Sequence, residues 1–405
     1  MTFLWGLFGI IVVLGIGFLF STDRKRINWR TVLGGLAFQL AFAFIVLKWD
    51  FGQRMMLKLT EVVNAITGYA NEGINFLFGG LYTEQSGIVS VFALNVLPVV
   101  IFFSALISVL YYLHIMQFFI KIIGGFLSTL LGTRKAESIS AAANIFVGQT
   151  EAPLVIKPYI QKMTESELFA VMTGGLASVS GSVLVGYSLL GAPLEYLLAA
   201  SFMAAPAGLV MAKLFLPETS DEPESKEFKM DSDEDAANVI DAAAKGASVG
   251  LQLALNIGAM LLAFIAIIAM VNGLIGWAGS WFGLNGLSLE MILGYVFAPI
   301  AFAIGVPWDE AVTAGSFIGQ KLVLNEFVAY SSFGPQIDSL TPKTAAIISF
   351  ALCGFANISS MAILIGGLGN LAPSRRADIA RLGLKAVLAG ALASLLSAAI
   401  AGMLI

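Results

Sequence analysis

Apolar residues in this chain run in long stretches with few polar interruptions, not at the spacing of a half-buried helix. A helix crosses the hydrocarbon core of a bilayer with about 20 mostly apolar residues. Residues 3–20, 31–47, 91–113, 168–192, 197–216, 249–278, 345–372 and 386–405 fit that requirement, so the pattern predicts eight transmembrane helices. The first stretch has neither a basic segment before it nor a small-residue cleavage site after it, and it reads as a helix, not a signal peptide. A further apolar stretch, 287–308, contains Glu290, is interrupted by Pro299 and ends at Pro307-Trp308. It reads as an interfacial helix, as does 114–133.

Two segments, 137–162 and 311–336, are too polar for ordinary spans and too apolar for loops, and each carries a glutamate, Glu151 or Glu326, near its middle. Irregular backbone is tolerated at membrane depth only where it lines a polar cavity, so both read as re-entrant hairpins. A helix start follows each: the capping box Thr164-Glu165-Ser166-Glu167 and the pair Thr341-Pro342. The helices after them share a motif, Gly175-Leu176-Ala177-Ser178-Val179-Ser180-Gly181 and Gly354-Phe355-Ala356-Asn357-Ile358-Ser359-Ser360. Hairpin and motif recur in the same order on opposite sides of the membrane, an inverted repeat of the kind that places substrate and ion at the midplane of secondary transporters.

Composition agrees. The 405 residues are 58% hydrophobic and 12% charged, with mean hydropathy +0.88, too few charges to cover a soluble globule. There are 22 basic and 26 acidic residues without a basic cluster beside aromatics, so nothing points to nucleic acid. Cys353 is the single cysteine, which excludes a disulfide and a multi-cysteine metal site. His114 sits at the end of an apolar run and reads as an interfacial anchor, not a base. Arg24, Lys25, Arg26 and Arg30 follow the first span, and Arg375, Arg376, Arg381 and Lys385 separate the last two. Both loops are therefore expected in the cytoplasm and both termini outside. Residues 217–235 hold nine carboxylates and two lysines, a solvated cytoplasmic linker without calcium-loop spacing.

A carboxylate at the bilayer centre costs about 2.5 to 3.5 kcal/mol on insertion scales, so Glu151 and Glu326 need polar company. Gln149 and Thr150 precede Glu151, and Asn325, Asn357, Ser359 and Ser360 complement Glu326; no arginine or lysine joins the set, which disfavours an anionic substrate. A neutral polyhydroxylated or heterocyclic molecule fits, with Phe355 available to a flat ring. The alternative is that each glutamate only caps its hairpin. Asn144, Val147, Ser178 and Val179 offer side-chain and backbone oxygens to a sodium ion, or else Asn144 and Ser178 make interhelical hydrogen bonds. An intramembrane enzyme using the two glutamates would lack a nucleophile or metal set; a passive channel would conduct without coupling.

The string Asn144-Ile145-Phe146-Val147-Gly148-Gln149-Thr150-Glu151-Ala152-Pro153, with Asn325-Glu326-Phe327-Val328-Ala329-Tyr330 and the second motif above, closely resembles the concentrative nucleoside transporter family in its bacterial form. The resemblance runs from about residue 3 to the C-terminus. It implies an all-α polytopic homotrimer in the bacterial cytoplasmic membrane, each protomer with eight transmembrane helices, two re-entrant hairpins and interfacial helices, working as an elevator. Residues 1–113 and 247–284 would form the scaffold and 114–216 and 285–405 the two halves of a transport domain, with an acidic linker at 217–246. Carried over by motif, Gln149, Thr150 and Glu151 hold the base of a uridine-like nucleoside with Val183 and Leu253 around it, and Glu326, Asn357 and Ser360 hold the ribose beside Phe355. Asn144, Ser178 and the carbonyls of Val147 and Val179 would bind the coupling sodium. A proton, used by some bacterial members, is the alternative, and no organic cofactor is implied.

Overall fold

The structure is a computed structural model and describes residues 2–82, 91–220, 236–284 and 286–405. The acidic run from 221 to 235 lies outside them. Among the described residues, sixteen helices of eight or more residues carry the fold: α1 (Thr2–Leu19), α2 (Trp29–Leu47), α3 (Asp50–Phe78), α4 (Leu97–Tyr112), α5 (Ile115–Leu131), α6 (Lys135–Ala143), α7 (Glu165–Ala177), α8 (Gly181–Leu189), α9 (Leu194–Phe215), α10 (Val239–Ser280), α11 (Leu289–Ala303), α12 (Trp308–Val323), α13 (Glu326–Phe333), α14 (Pro342–Leu352), α15 (Ile358–Leu371) and α16 (Arg376–Leu404). No strand occurs among the described residues.

Six helical stretches among the described residues are long and apolar enough to cross a membrane. The difference from the eight predicted spans has a local cause. The stretch 345–372 is not continuous: it breaks at Cys353–Asn357 into α14 and α15, each too short to span alone. The stretch 168–192 also breaks, at Ser178–Ser180, where Ser178 (ψ 175°) and Ser180 (ψ 150°) are extended, but Glu165–Leu189 together is still long enough and stays among the six. Helix α1, apolar but short, is the other. One boundary moves and one helix is added. Helix α10 starts at Val239, inside the range 217–246 read as linker, because Asn238 caps it through Asp241 N–H at 3.0 Å. Helix α3 was not foreseen, since Arg54, Lys58 and Glu61 interrupt its apolar positions; it is amphipathic and leaves Met55, Val62, Tyr69 and Phe76 exposed.

Helices α7, α9 and α16 are buried on nearly every side and pack on one another. A helix apolar all round belongs in such a place. Helices α4 and α10 pair at the periphery, where Gly246 and Gly250 lie against Ser104, Ser108 and Ile101 and let the backbones approach.

The repeat is inverted. Helix α5, hairpin α6 to Ile160, broken pair α7/α8 and α9 are followed in the same order by α11, hairpin α12/α13, broken pair α14/α15 and α16. Helix α11 meets α12 at a bend of 115°. One end of the molecule gathers five arginines: Arg30 donates to Thr129 O, Arg26 to Thr219 O, Arg134 pairs with Glu167, Arg375 donates to Met163 O and Arg381 reaches Glu165. Hairpin α6 and helix α7 start there. The opposite end holds both termini, where Trp5 donates to Phe302 O at 2.7 Å and Gly6 meets Met403. Hairpin α12/α13 and helix α14 start there, with Trp308 edge-on to Phe302 and Lys343 over the Trp5 ring.

Candidate functional site

The two breaks meet in the interior. Phe355 N–H donates to Ser178 O at 3.1 Å, and a Cβ at Gly354 would lie 2.8 Å from Ala177 O, so only glycine permits this approach. Each hairpin tip reaches across to the other half's second half-helix. Thr150 of the first tip packs on Gly367 of α15, and Phe327 of the second packs on Gly186 of α8.

The first tip is an irregular turn after α6. Its backbone is anchored to its own half: Gly181 N–H donates to Phe146 O at 2.9 Å and Ser201 Oγ to Ile145 O at 3.0 Å. Glu151, half-buried, accepts from Gly148 N–H at 3.2 Å through Oε2. Asn144 caps the last turn of α6; its Nδ2 donates to Ser140 O at 3.0 Å and its Oδ1, fully buried, has no partner among the described residues. Ser140 Oγ, Gln149 Oε1 and Thr173 Oγ1 are likewise buried without partners. Ser178 Oγ donates to Gly174 O at 3.0 Å and so keeps its lone pairs. Val147 and Val179 are buried on the two unwound segments beside it. The side chain of Asn144 stands against Gly174 at ordinary contact distance, while Gln149 lies so close to Gly175 that a Cβ there would sit 2.9 Å from Gln149 Cβ, which explains the second glycine of the pair in α7. Buried oxygens left without donors suit a hard cation.

Glu326, buried at the first position of α13 after its cap Asn325, has both oxygens occupied. Tyr187 Oη donates to Oε1 at 3.0 Å and Asn357 Nδ2 to Oε2 at 2.9 Å. Asn357 is the N-cap of α15 and accepts from Ser360 N–H at 2.8 Å and Ser359 Oγ at 2.7 Å. Tyr187 is itself fixed by stacking on Tyr330 at 4.4 Å and by the edge of Phe327 at 4.7 Å. Val183 lies one turn before Tyr187, buried on α8, while Phe355 is half-buried in the second break. Leu253 is half-buried on α10, the helix that packs on α13.

A cavity of about 1110 Å³ adjoins the first tip, between α4, α10 and the hairpin, lined among others by Tyr111, Glu151, Ser180, Ser182 and Lys245. It touches the Glu151 side of the site and not Glu326.

Sequence reasoning overlooked three residues here. Tyr187 was passed over because an aromatic residue in an apolar run carries no polar signal by itself. Tyr111 lies in a span far away in sequence. Lys321, four residues before Asn325, was left out of a set described as free of lysine, yet it is fully buried and donates to Ala351 O at 2.7 Å. The motif pairing of Ser178 with Asn357 also shifts: Ser178 follows the end of α7 and Asn357 precedes the start of α15, because the second break is longer.

This is the architecture of a secondary transporter, with paired hairpins and broken helices converging on buried polar groups. The chain belongs to the Na+ dependent nucleoside transporter family, whose C-terminus matches residues 196–402, N-terminus residues 8–81 and nucleoside recognition (gate) region residues 93–194. It is 65% identical to an uncharacterized Bacillus subtilis transporter, YutK, over the whole of both chains. It is 48% identical to the nucleoside permease NupC of Helicobacter pylori over 99% of this chain and 98% of that one. CNTnw in an inward-facing substrate-bound state superposes with TM-score 0.95 at 56% identity, covering 100% of this chain and 98% of that chain. The protein is an integral membrane nucleoside transporter.

Proposed function

We propose that the chain is a sodium-coupled symporter that carries a uridine-like nucleoside into a bacterial cell across the cytoplasmic membrane. Eight spans, two re-entrant hairpins and the interfacial helices form a protomer of a homotrimer, with both termini outside and the basic end in the cytoplasm. Residues 114–216 and 285–405 move as an elevator against 1–113 and 247–284. The observation that carries this reading is the convergence of both hairpin tips on both breaks, joined at Ser178 and Phe355, which makes ion and nucleoside contacts parts of one unit.

In this reading Glu326, oriented by Tyr187 and Asn357, accepts ribose hydroxyls together with Asn357 and Ser360. Gln149, Thr150 and Glu151 bond the base, and Val183, Leu253 and Phe355 pack around the nucleoside. Sodium, as co-transported substrate, takes Asn144 Oδ1, Ser178 Oγ and the carbonyls of Val147 and Val179. The orphaned Asn144 oxygen supports sodium over a proton, because a neutral amide cannot take up a proton at physiological pH. Binding of sodium draws the first tip onto α7, completing the base site; nucleoside then lets the loaded unit cross. The cavity beside Glu151, running toward Lys245 and the start of α10, is the cytoplasmic exit.

The test is equilibrium binding to purified protein. Uridine should bind in sodium and weakly in potassium, and 2′,3′-dideoxyuridine should bind at least tenfold more weakly, because the buried carboxylate loses its hydroxyl partners. Equal binding of the two ligands would remove Glu326 from the ribose site.

A further inference from the structure

In each half of the repeat the first hairpin limb and the first half-helix end beside one another. In the first half these are the C-termini of α6 and α7, with Asn144 against Gly174; in the second they are the C-termini of α12 and α14. Two helix C-termini, each with unsatisfied carbonyls and partial negative charge, make a place for a cation. The first half meets it with oxygen atoms that have no partner, Asn144 Oδ1 among them. In the second half Lys321, in the last turn of α12, places its ammonium 2.7 Å from Ala351 O in the last turn of α14. Lys321 is 2% exposed and has no carboxylate within ion-pair distance among the described residues. A lysine buried this deeply within a membrane protein calls for a function.

We infer that Lys321 is a tethered cation standing, in the second half, where sodium stands in the first, so that the transporter couples a single sodium to each nucleoside. The inference rests on the sodium reading above. A lysine ammonium and a sodium ion carry the same charge, and both are satisfied by carbonyl oxygens. The ammonium cannot leave, so the second half needs no ion from solution and contributes nothing to coupling. Lys321 is therefore a positioning residue that sets stoichiometry, touching neither nucleoside nor sodium.

The experiment compares wild type with Lys321→Gln, which keeps a donor to Ala351 O and removes the charge. Sodium dependence of uridine binding by the purified proteins should have a Hill coefficient of about 1 in wild type and about 2 in the variant, with half-saturation at higher sodium. In proteoliposomes, the reversal potential should give one charge per uridine for wild type and two for the variant. A wild-type ratio of two, or a variant with unchanged Hill coefficient and ratio, overturns the inference. So does a folded variant whose uridine binding no sodium concentration restores, since an opened cation place should refill. Wild-type binding that ignores sodium altogether would instead strike the sodium reading itself.

Discussion

The backbone N–H of Phe355 donates to the carbonyl oxygen of Ser178 across 3.1 Å, joining the middle of one broken helix to the middle of the other. Ser178 also ends α7 and donates through Oγ to Gly174 O, the glycine on which Asn144 stands, and Phe355 precedes Asn357, which holds Glu326. With the ion and ribose sites proposed above, a displacement at one end of this bond is felt within a few residues at the other, which would give ion and nucleoside a physical route for reciprocal coupling.

Glu326→Ala should abolish uridine uptake while the protein still reaches the membrane and assembles. Its partners, Tyr187 Oη and Asn357 Nδ2, would lose an acceptor that ribose cannot replace alone. Radiolabelled uptake normalised to the amount of folded protein measures this, and near-normal transport would exclude Glu326 from the site.

Tyr187→Phe removes one donor to a buried carboxylate and leaves the stack on Tyr330. Leaving such a group unsatisfied costs about 1 to 3 kcal/mol, so uridine affinity should fall roughly tenfold. Sodium affinity measured without nucleoside should change little; a large change there would mean that Tyr187 supports the fold more than the site.

Asn144→Leu removes the orphaned oxygen. Half-saturating sodium should rise at least tenfold, and uridine affinity at fixed sodium should fall with it because linkage is reciprocal. Titration calorimetry at several sodium concentrations separates the two, and unchanged sodium dependence would remove Asn144 from the ion site.

Gly175→Ala would put a methyl group 2.9 Å from Gln149 Cβ, so the first tip must move. Overpacking of this kind costs about 1 to 3 kcal/mol. Transport should drop more than thermal stability, because the strain falls on the tip and not on the buried core. Equal losses in both would place the strain in the fold.

Topology is open to labelling. After Cys353→Ala, a cysteine introduced by Ser374→Cys should react only with reagent reaching the cytoplasm, because its loop shares an end with Arg375 and Arg381. Labelling from outside would reverse the membrane orientation.

The all-helical, apolar architecture was legible in the length of the apolar runs, and Glu151 and Glu326 in apolar surroundings marked the two segments with irregular backbone. The breaks were harder. Ser178 and Asn357 sit in runs whose hydropathy is that of a span, and what unwinds them is contact between halves far apart in sequence: Gly354 against Ala177, Phe355 against Ser178. The glutamates were visible as charges, whereas Tyr187 became part of the site only through the fold that brings α8 to the second tip. Lys321 was visible as a letter, but its burial was not, since its neighbours Gln320 and Asn325 read equally well as a solvated turn.

The most direct test of the account is accumulation of radiolabelled uridine in proteoliposomes with sodium outside, with potassium outside, or with an imposed pH gradient. An inward sodium gradient should concentrate uridine above the external level, while potassium or a pH gradient without sodium should give none. Accumulation on a pH gradient in the absence of sodium, or equilibration without accumulation in its presence, would contradict it.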